Sequence, residues 1–215
     1  MAQGLFEFGW QPAAQKDDKI YGAGIATVIE NVDLLGEGRV QLSLPWAPGF
    51  EPWARVATLM GGSQRGTYFI PQVGDEVVVV FNHGDIREPF VVGTLWNTID
   101  RPPSLLPTDS INKRIIRTPL GQEVEFDDLQ QSITISNPLQ YEITLGPDAA
   151  ELSSAGATVS LDLFGNVTIR GAASISLEAP DISISGTNVT ISGTAGATFD
   201  GGFNCTISGA QVNIG

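Results

Sequence analysis

The sequence predicts an all-β protein in two parts, a small closed barrel followed by a long β-helical rod. Between residues 21 and 101, five or six short stretches suit β-strands and no convincing helix intervenes. From residue 182 a glycine-punctuated pattern repeats: Ile182-Ser-Ile184-Ser-Gly186, Val189-Thr-Ile191-Ser-Gly193, Ala197-Thr-Phe199-Asp-Gly201, Cys205-Thr-Ile207-Ser-Gly209 and Val212-Asn213-Ile214-Gly215. The markers Ile184, Ile191, Phe199, Ile207 and Ile214 lie 7, 8, 8 and 7 residues apart. Short strands joined by tight turns at that period cannot stand as one sheet and must close into a solenoid or prism. Such a rod reads as a mechanical part rather than an enzyme.

The barrel elements follow in order. Residues 1–20 form an N-terminal arm with Phe6, Phe8 and Trp10 ahead of a polar stretch. Ile25–Ile29 is a strand, Asn31–Gly38 a turn, and Arg39–Leu44 alternates in period two. Trp53–Thr58 is the next strand. Gly61-Gly62 opens a loop, and Tyr68-Phe69-Ile70 is expected as a short strand. Pro71–Asp75 turns the chain into Glu76–Phe81, whose run Val77–Phe81 reads as a strand covered on both sides or wedged against a neighbouring subunit. Asn82–Asp85 turns again before Pro89–Trp96. The barrel is thus assigned to residues 21–101.

Pro102, Pro103 and Pro107 stiffen a linker over 102–117, because proline fixes φ and cannot donate to a ladder. The rod occupies 118–215. Its early strands are read at Glu123–Asp128, Ile133–Ser136 and Tyr141–Leu145; Val159, Leu161 and Leu163 share one phase, which Val167 and Ile169 resume after a turn at Gly165-Asn166. Ile175 and Leu177 continue the pattern. Periodicity leaves two arrangements open: one chain coiled with about 22–23 residues per turn, or three chains wrapped into a triangular prism. The second encloses a longer core, since about a hundred residues give a single-chain coil only about four turns.

Charge narrows the function classes. Residues 118–215 carry Arg170 as their single basic residue against eleven acidic ones, for a net charge of -10; residues 1–117 are at -3. A rod this acidic repels nucleic acid and anionic headgroups. No apolar run reaches the roughly 18 residues of a membrane helix, and the first residues lack a secretory signal pattern. The single cysteine, Cys205, excludes an internal disulfide and falls on the apolar phase of its strand. His83, the one histidine, sits in a turn with Asn82 and Asp85, a poor ligand set, so neither metal nor cofactor is expected.

Several blocks carry a family likeness: Gly38–Trp46, Pro52–Ala57, Gly66–Val77, Phe81–Pro89 and Val92–Asn97, then Asn112–Thr118 and Gly121–Asp128. They resemble the central spike of contractile injection machines: contractile phage tails, type VI secretion systems and phage-tail-like extracellular particles. The resemblance covers most of the chain beyond residue 20. It implies an oligosaccharide/oligonucleotide-binding (OB) barrel and a needle of three intertwined chains on the axis of a baseplate. It further implies a trimeric hub at the barrel end, a small conical tip protein at the far end, and transient passage through a target membrane on sheath contraction. Only about 20 residues precede the barrel, so hub and spike are expected to be separate polypeptides, assembled in the cytoplasm into a particle that in some machines is released. Some phage spikes end in a His-x-His iron apex; no such motif stands here, and Val212, Asn213, Ile214 and Gly215 are expected to meet the tip protein instead.

The candidate residues divide into two groups. Ile182, Ile184, Val189, Ile191, Phe199, Cys205, Ile207, Val212 and Ile214 are expected to fill the needle core. The barrel motif comprises Arg39, Trp46, Trp53, Arg55, Phe69, Gly74, Asp75, Phe81, His83, Gly84, Asp85, Pro89 and Gly93. Within it the aromatics are read as core, and the arginines, with Arg65 and Arg87, either as intrachain charges or as bridges to partners. Glu123, Glu125 and Asp127 share one strand face, a pattern that suggests glycosidase chemistry only if a cleft faces it; the resemblance places them in the neck. Two other functions stay open, a single-chain β-helical polysaccharide-degrading enzyme and a nucleic-acid-binding barrel. The first lacks a catalytic set, and the second lacks a basic groove.

Overall fold

The computed structural model describes residues 19–104 and 106–212. The chain divides into two compact units, one running to Pro119 and including Val124–Leu129, the other formed by the remainder.

The first unit is built on a closed barrel of β1 (Gly24–Glu30), β2 (Arg39–Ser43), β3 (Trp53–Val56), β6 (Glu76–Phe81) and β7 (Pro89–Leu95), in the order β1-β2-β3-β7-β6. Neighbours pair antiparallel except β3 and β7, which run parallel. A five-stranded barrel in this order is an OB-type barrel, and closure removes the exposed sheet edges that invite aggregation. Period-two alternation sends Ala26 and Val28 inward from β1, Val40 and Leu42 from β2, Ala54 from β3, Val77, Val79 and Phe81 from β6, and Val91 from β7; Leu44 joins them. Val78 and Val80, on the other face of β6, are half-buried, so that strand is fully covered on one side only. The strands bend at two irregularities, Ile29 between the Val28–Leu42 and Glu30–Gln41 pairs, and Val92 between Val91 and Gly93.

Between β3 and β6 the chain forms a small hairpin of β4 (Gly61–Gly62) and β5 (Arg65–Gly66). Tyr68-Phe69-Ile70, expected as a strand, joins no ladder. The physical reason is closure: β3 and β7 pair directly, which leaves no free edge for it. Beyond the barrel a single turn of helix, α1 (Asp109–Asn112), is followed by β8 (Lys113–Arg117) and β9 (Glu123–Asp127). Four residues are too few to leave a helical period in the sequence.

The second unit contains a meander of β10 (Ser132–Ser136), β11 (Glu142–Leu145), β12 (Ala149–Ser154), β13 (Ala157–Asp162) and β14 (Val167–Gly171), each antiparallel to the next. Strand β12 escapes a reading from sequence because Ala149-Ala150-Glu151 lacks β-branched residues. Leu163, expected in the strand phase, lies in the turn after Asp162 instead. There the Asp162 carboxylate accepts from the amides of Phe164 and Asn166 and from Asn166 Nδ2, which holds its pKa below the ordinary value. Residues 172–212 form no ladder among the described residues, and all of them are exposed.

Candidate functional site

The candidate residues form surfaces rather than a cleft. Strand direction sorts the barrel loops onto two ends. The turn 82–88 and residues 19–23 share one end; the loops 31–38 and 57–75 and the segment after Leu95 share the other, from which the chain proceeds to β8.

At the first end, the turn after β6 is set by backbone geometry. His83 lies at φ 48 and Gly84 at φ 79, both left-handed. A Cβ on Gly84 would lie 2.8 Å from Lys19 Cβ and 3.2 Å from Ile20 N, and the Gly84 carbonyl accepts from the Ile20 amide at 2.9 Å. Glycine is therefore required where the incoming chain crosses the turn. Asp85 accepts from Arg87 through its amide, Nε and Nη2, at 2.9, 2.9 and 2.6 Å. The Arg87 guanidinium draws its pKa down to about 2. Pro89 begins β7 opposite Phe81, a position where its missing N–H costs little. Trp46 meets Phe81 edge-on, with ring centroids 5.7 Å apart.

At the opposite end, Gly74, at φ 100, donates to Val28 O, and the Asp75 carboxylate accepts from the Gln72 amide, which carries the β1–β6 pairing into the turn. Asp33 organises the loop 31–38. Its carboxylate accepts from the amides of Leu35, Glu37 and Arg39 and from Arg39 Nε and Nη2. The Arg39 guanidinium holds that carboxyl far below the usual range despite its burial. Arg39 also reaches Glu37 and lies over the Trp53 ring at 5.6 Å, while Arg55, directly across from it, packs on Phe90 at 4.5 Å. These arginines are thus engaged within the chain, which relieves the repulsion of two like charges in register. Arg65 lies exposed in the small hairpin.

The aromatics separate. Phe81 is buried, Trp53 half-buried and Trp46 partly exposed, while Phe69 is 68% exposed and is not barrel core. Phe69 and Trp96 instead line an open groove of about 830 Å³ with Val56, Ile70, Pro103 and Ile116. Gly93 borders the same groove beside the Val92 irregularity.

The carboxylates of β9 find a cation that sequence reasoning missed. Lys113 Nζ lies 2.9 Å from Glu125 Oε1 and 3.4 Å from Asp127 Oδ2, and the Asp127 side chain is only 5% exposed. The hydrogen bond to Glu125 raises the Lys113 pKa above its ordinary value. Lys113 sits 12 residues upstream of Glu125, so only the hairpin from β8 to β9 brings them together. Among the described residues no group of three His, Cys, Asp or Glu side chains could hold a metal ion.

The second unit presents an uncovered apolar face. Register aligns Ile135, Ile143, Leu152, Val159 and Ile169 in one row, and Ile133, Leu145, Ala150, Leu161 and Val167 in the next. Thr134, Thr144, Glu151, Ser160 and Thr168 occupy the other face. Ile182, Ile184, Val189, Ile191, Phe199, Ile207 and Val212 are likewise exposed, as is Cys205. Asn213, Ile214 and Gly215, and the arm residues 1–18, lie outside the described residues.

Comparison with known proteins converges on one kind. Residues 24–96 match the type VI secretion system/phage-baseplate injector OB domain. The chain is similar to the actin cross-linking toxin VgrG1 of Vibrio cholerae, 33% identical over 56% of this chain and 12% of that protein. It is similar to the type VI secretion system spike protein VgrG2a of Pseudomonas aeruginosa, 31% identical over 58% of this chain and 16% of the relative. The spike protein VgrG3 of Vibrio cholerae is 32% identical over 56% of this chain and 13% of its own length. The match therefore spans only a small part of each relative.

Proposed function

We propose that three copies of this chain, whose residues 24–96 match the injector OB domain and which is similar to type VI secretion spike proteins, intertwine into the central needle of a contractile injection apparatus. One observation carries the trimer: among the described residues, the apolar face of β10–β14 and the repeat beyond it as far as Val212 have no cover. Monomers rarely expose a continuous face of this kind. Fully burying a Val, Leu or Ile contributes roughly 1.5–3 kcal/mol. Covering the exposed half of eight such side chains therefore yields on the order of 6–12 kcal/mol per chain. That is comparable to the roughly 4–15 kcal/mol lost as translational and rotational freedom on association. The repeat over 182–214 supplies the remainder.

In this reading the three sheets close with their apolar rows inward, and Ile182, Ile184, Val189, Ile191, Phe199, Cys205, Ile207, Val212 and Ile214 fill the needle beyond them. The acidic, hydroxyl-rich outer face keeps the needle soluble. The chain transmits force and performs no catalysis: axial load is spread over many backbone hydrogen bonds, and no chain can peel away without unthreading from two others. The sequential antiparallel pairing of β10–β14 disfavours the coil of a single-chain β-helical enzyme, and the acidity disfavours nucleic acid.

The family resemblance supplies the partners proposed here: a trimeric hub at the barrel, other baseplate components around it, a conical tip protein on residues 212–215, and a target membrane met only during puncture. Assembly takes place in the producing cell's cytoplasm. Light scattering on the full-length chain tests the core of the reading. A mass of three times 22.8 kDa supports it, and a folded species at 22.8 kDa refutes it.

A further inference from the structure

The outward faces of the barrel strands are not alike. On β2 the outward positions are Arg39, Gln41 and Ser43, the pattern of a wall that meets water, whereas β6 turns Val78 and Val80 outward. Register sets Ile25 and Gly93 on either side of Val78, and Phe90 beside Val80. Strands β1, β6 and β7 thus share one apolar outer face, on which Ile25 and Val92 are about half exposed. A Cβ on Gly93 would meet nothing within 4 Å, which leaves a notch beside Val78. We propose that the chain's own N-terminal segment Phe6-Glu7-Phe8-Gly9-Trp10 lies across this face, its rings on Val78, Val80 and Gly93. The contact is made within one chain and does not rest on the trimeric reading.

The point of attachment and the length of the arm fit this placement. Lys19 and Ile20 cross the turn that follows β6, where the Ile20 amide donates to the Gly84 carbonyl at 2.9 Å. The arm therefore joins the barrel at the Phe81 end of β6, beside the apolar face. Gly84 stands six residues from Val78, about 20 Å along a strand. Nine residues separate Trp10 from Lys19 and span up to about 30 Å when extended, so the segment reaches the face with chain to spare.

Pattern and spacing fit as well. Phe6, Phe8 and Trp10 alternate with Glu7 and Gly9, so an extended segment turns all three rings to one side, about 6.6 Å apart. The outward residues Glu76, Val78 and Val80 recur at the same two-residue interval. Each ring has roughly 150–250 Å² to bury. A ring laid over a strand glycine also restores packing that the missing side chain leaves out. Being tethered, the segment meets the face at an effective concentration on the order of millimolar. That favours the chain's own arm over a free partner as the occupant.

The test uses the full-length chain with Cys205→Ser under mild oxidation. Trp10→Cys with Gly93→Cys is compared with Trp10→Cys with Gln41→Cys, whose second position lies on the polar wall of β2. The expected result is a single-chain species on a non-reducing gel that has lost both thiols in the first pair and keeps them in the second. Linked dimers or trimers would put the arm on another copy and overturn the proposal. Thiols that stay free in both pairs, or vanish equally in both, overturn it too. A second measurement labels Gly93→Cys alone with a maleimide, with the arm intact or carrying Phe6→Ser, Phe8→Ser and Trp10→Ser. An arm seated about nine-tenths of the time slows labelling on the order of tenfold, so the triple variant should react faster by that factor. Equal rates overturn the placement of the arm and leave the spike reading intact.

Discussion

Asp33 and Arg39 stand six residues apart at the two ends of one loop and meet side-on, with Arg39 Nε 3.1 Å from Oδ2 and Nη2 3.0 Å from Oδ1. The same carboxylate takes three backbone amides, so one side chain fixes both the loop's shape and its attachment to β2. An ion pair of this bidentate kind is specific as well as attractive. Its chief effect is to hold Leu34 and Leu35 outward. Asp33→Ala should leave the barrel folded while speeding amide exchange at Leu35, Glu37 and Arg39, read by hydrogen–deuterium exchange.

The pH dependence follows from depressed carboxylates. Asp85 titrates near 2 in the folded chain against an ordinary 3.8, and Asp33 is lowered still further. A carboxylate whose folded pKa is lowered stabilises the fold fully above its unfolded pKa, and that stability is lost as pH falls through the folded value. Both contributions should therefore be intact at pH 5 and should decline between pH 3.8 and 2. Thermal melts at pH 5, 3.5 and 2.5 check this, and Asp85→Asn should flatten the decline.

At the other end of the barrel, Gly84→Ala places a side chain at φ 79 against Lys19 and Ile20. The left-handed backbone alone costs about 1–2 kcal/mol for a residue with a Cβ. The crowding adds to that, and urea denaturation should show the barrel destabilised by at least this amount.

The pairing of β8 with β9 depends on Lys113. Lys113→Met keeps most of the apolar stem but leaves the nearly buried Asp127 without its cation. Loss of one partner from a buried polar group costs about 1–3 kcal/mol. The variant should melt lower than the parent, and Asp127→Asn in the same chain should recover part of the loss.

For the needle, Phe199→Ala should act only on the assembled state, because Phe199 is 65% exposed in the single chain. If it is buried in the trimer, truncation lowers stability by about 3–5 kcal/mol per chain. The check is denaturant unfolding of the trimer at several protein concentrations, with the barrel transition as an internal control.

How much of this was legible beforehand depends on the distance over which each feature is set. Val40 and Leu42, or Val77, Val79 and Phe81, declare the barrel face locally, since alternation on a strand and burial are one fact. The turns at Gly74 and Gly84 are equally local, because only glycine tolerates their φ values freely. Phe69 was not legible: its exposure follows from β3 pairing with β7, a closure between residues some 35 positions apart. The cation for the β9 carboxylates was hidden for the same reason, as Lys113 belongs to another strand.

The sequence by itself determined most of the strand content, the apolar phases, the acidity of residues 118–215 and the likeness to the injector OB domain. Those properties reside in residue types and their local spacing. The tertiary structure decided which apolar residues a single chain covers and which it leaves open. The barrel closes on itself and buries its own phase, whereas β10–β14 present theirs on one side only. That difference arises because a closed barrel turns one face of every strand into a shared interior, while a meander of five strands has no second layer to supply one.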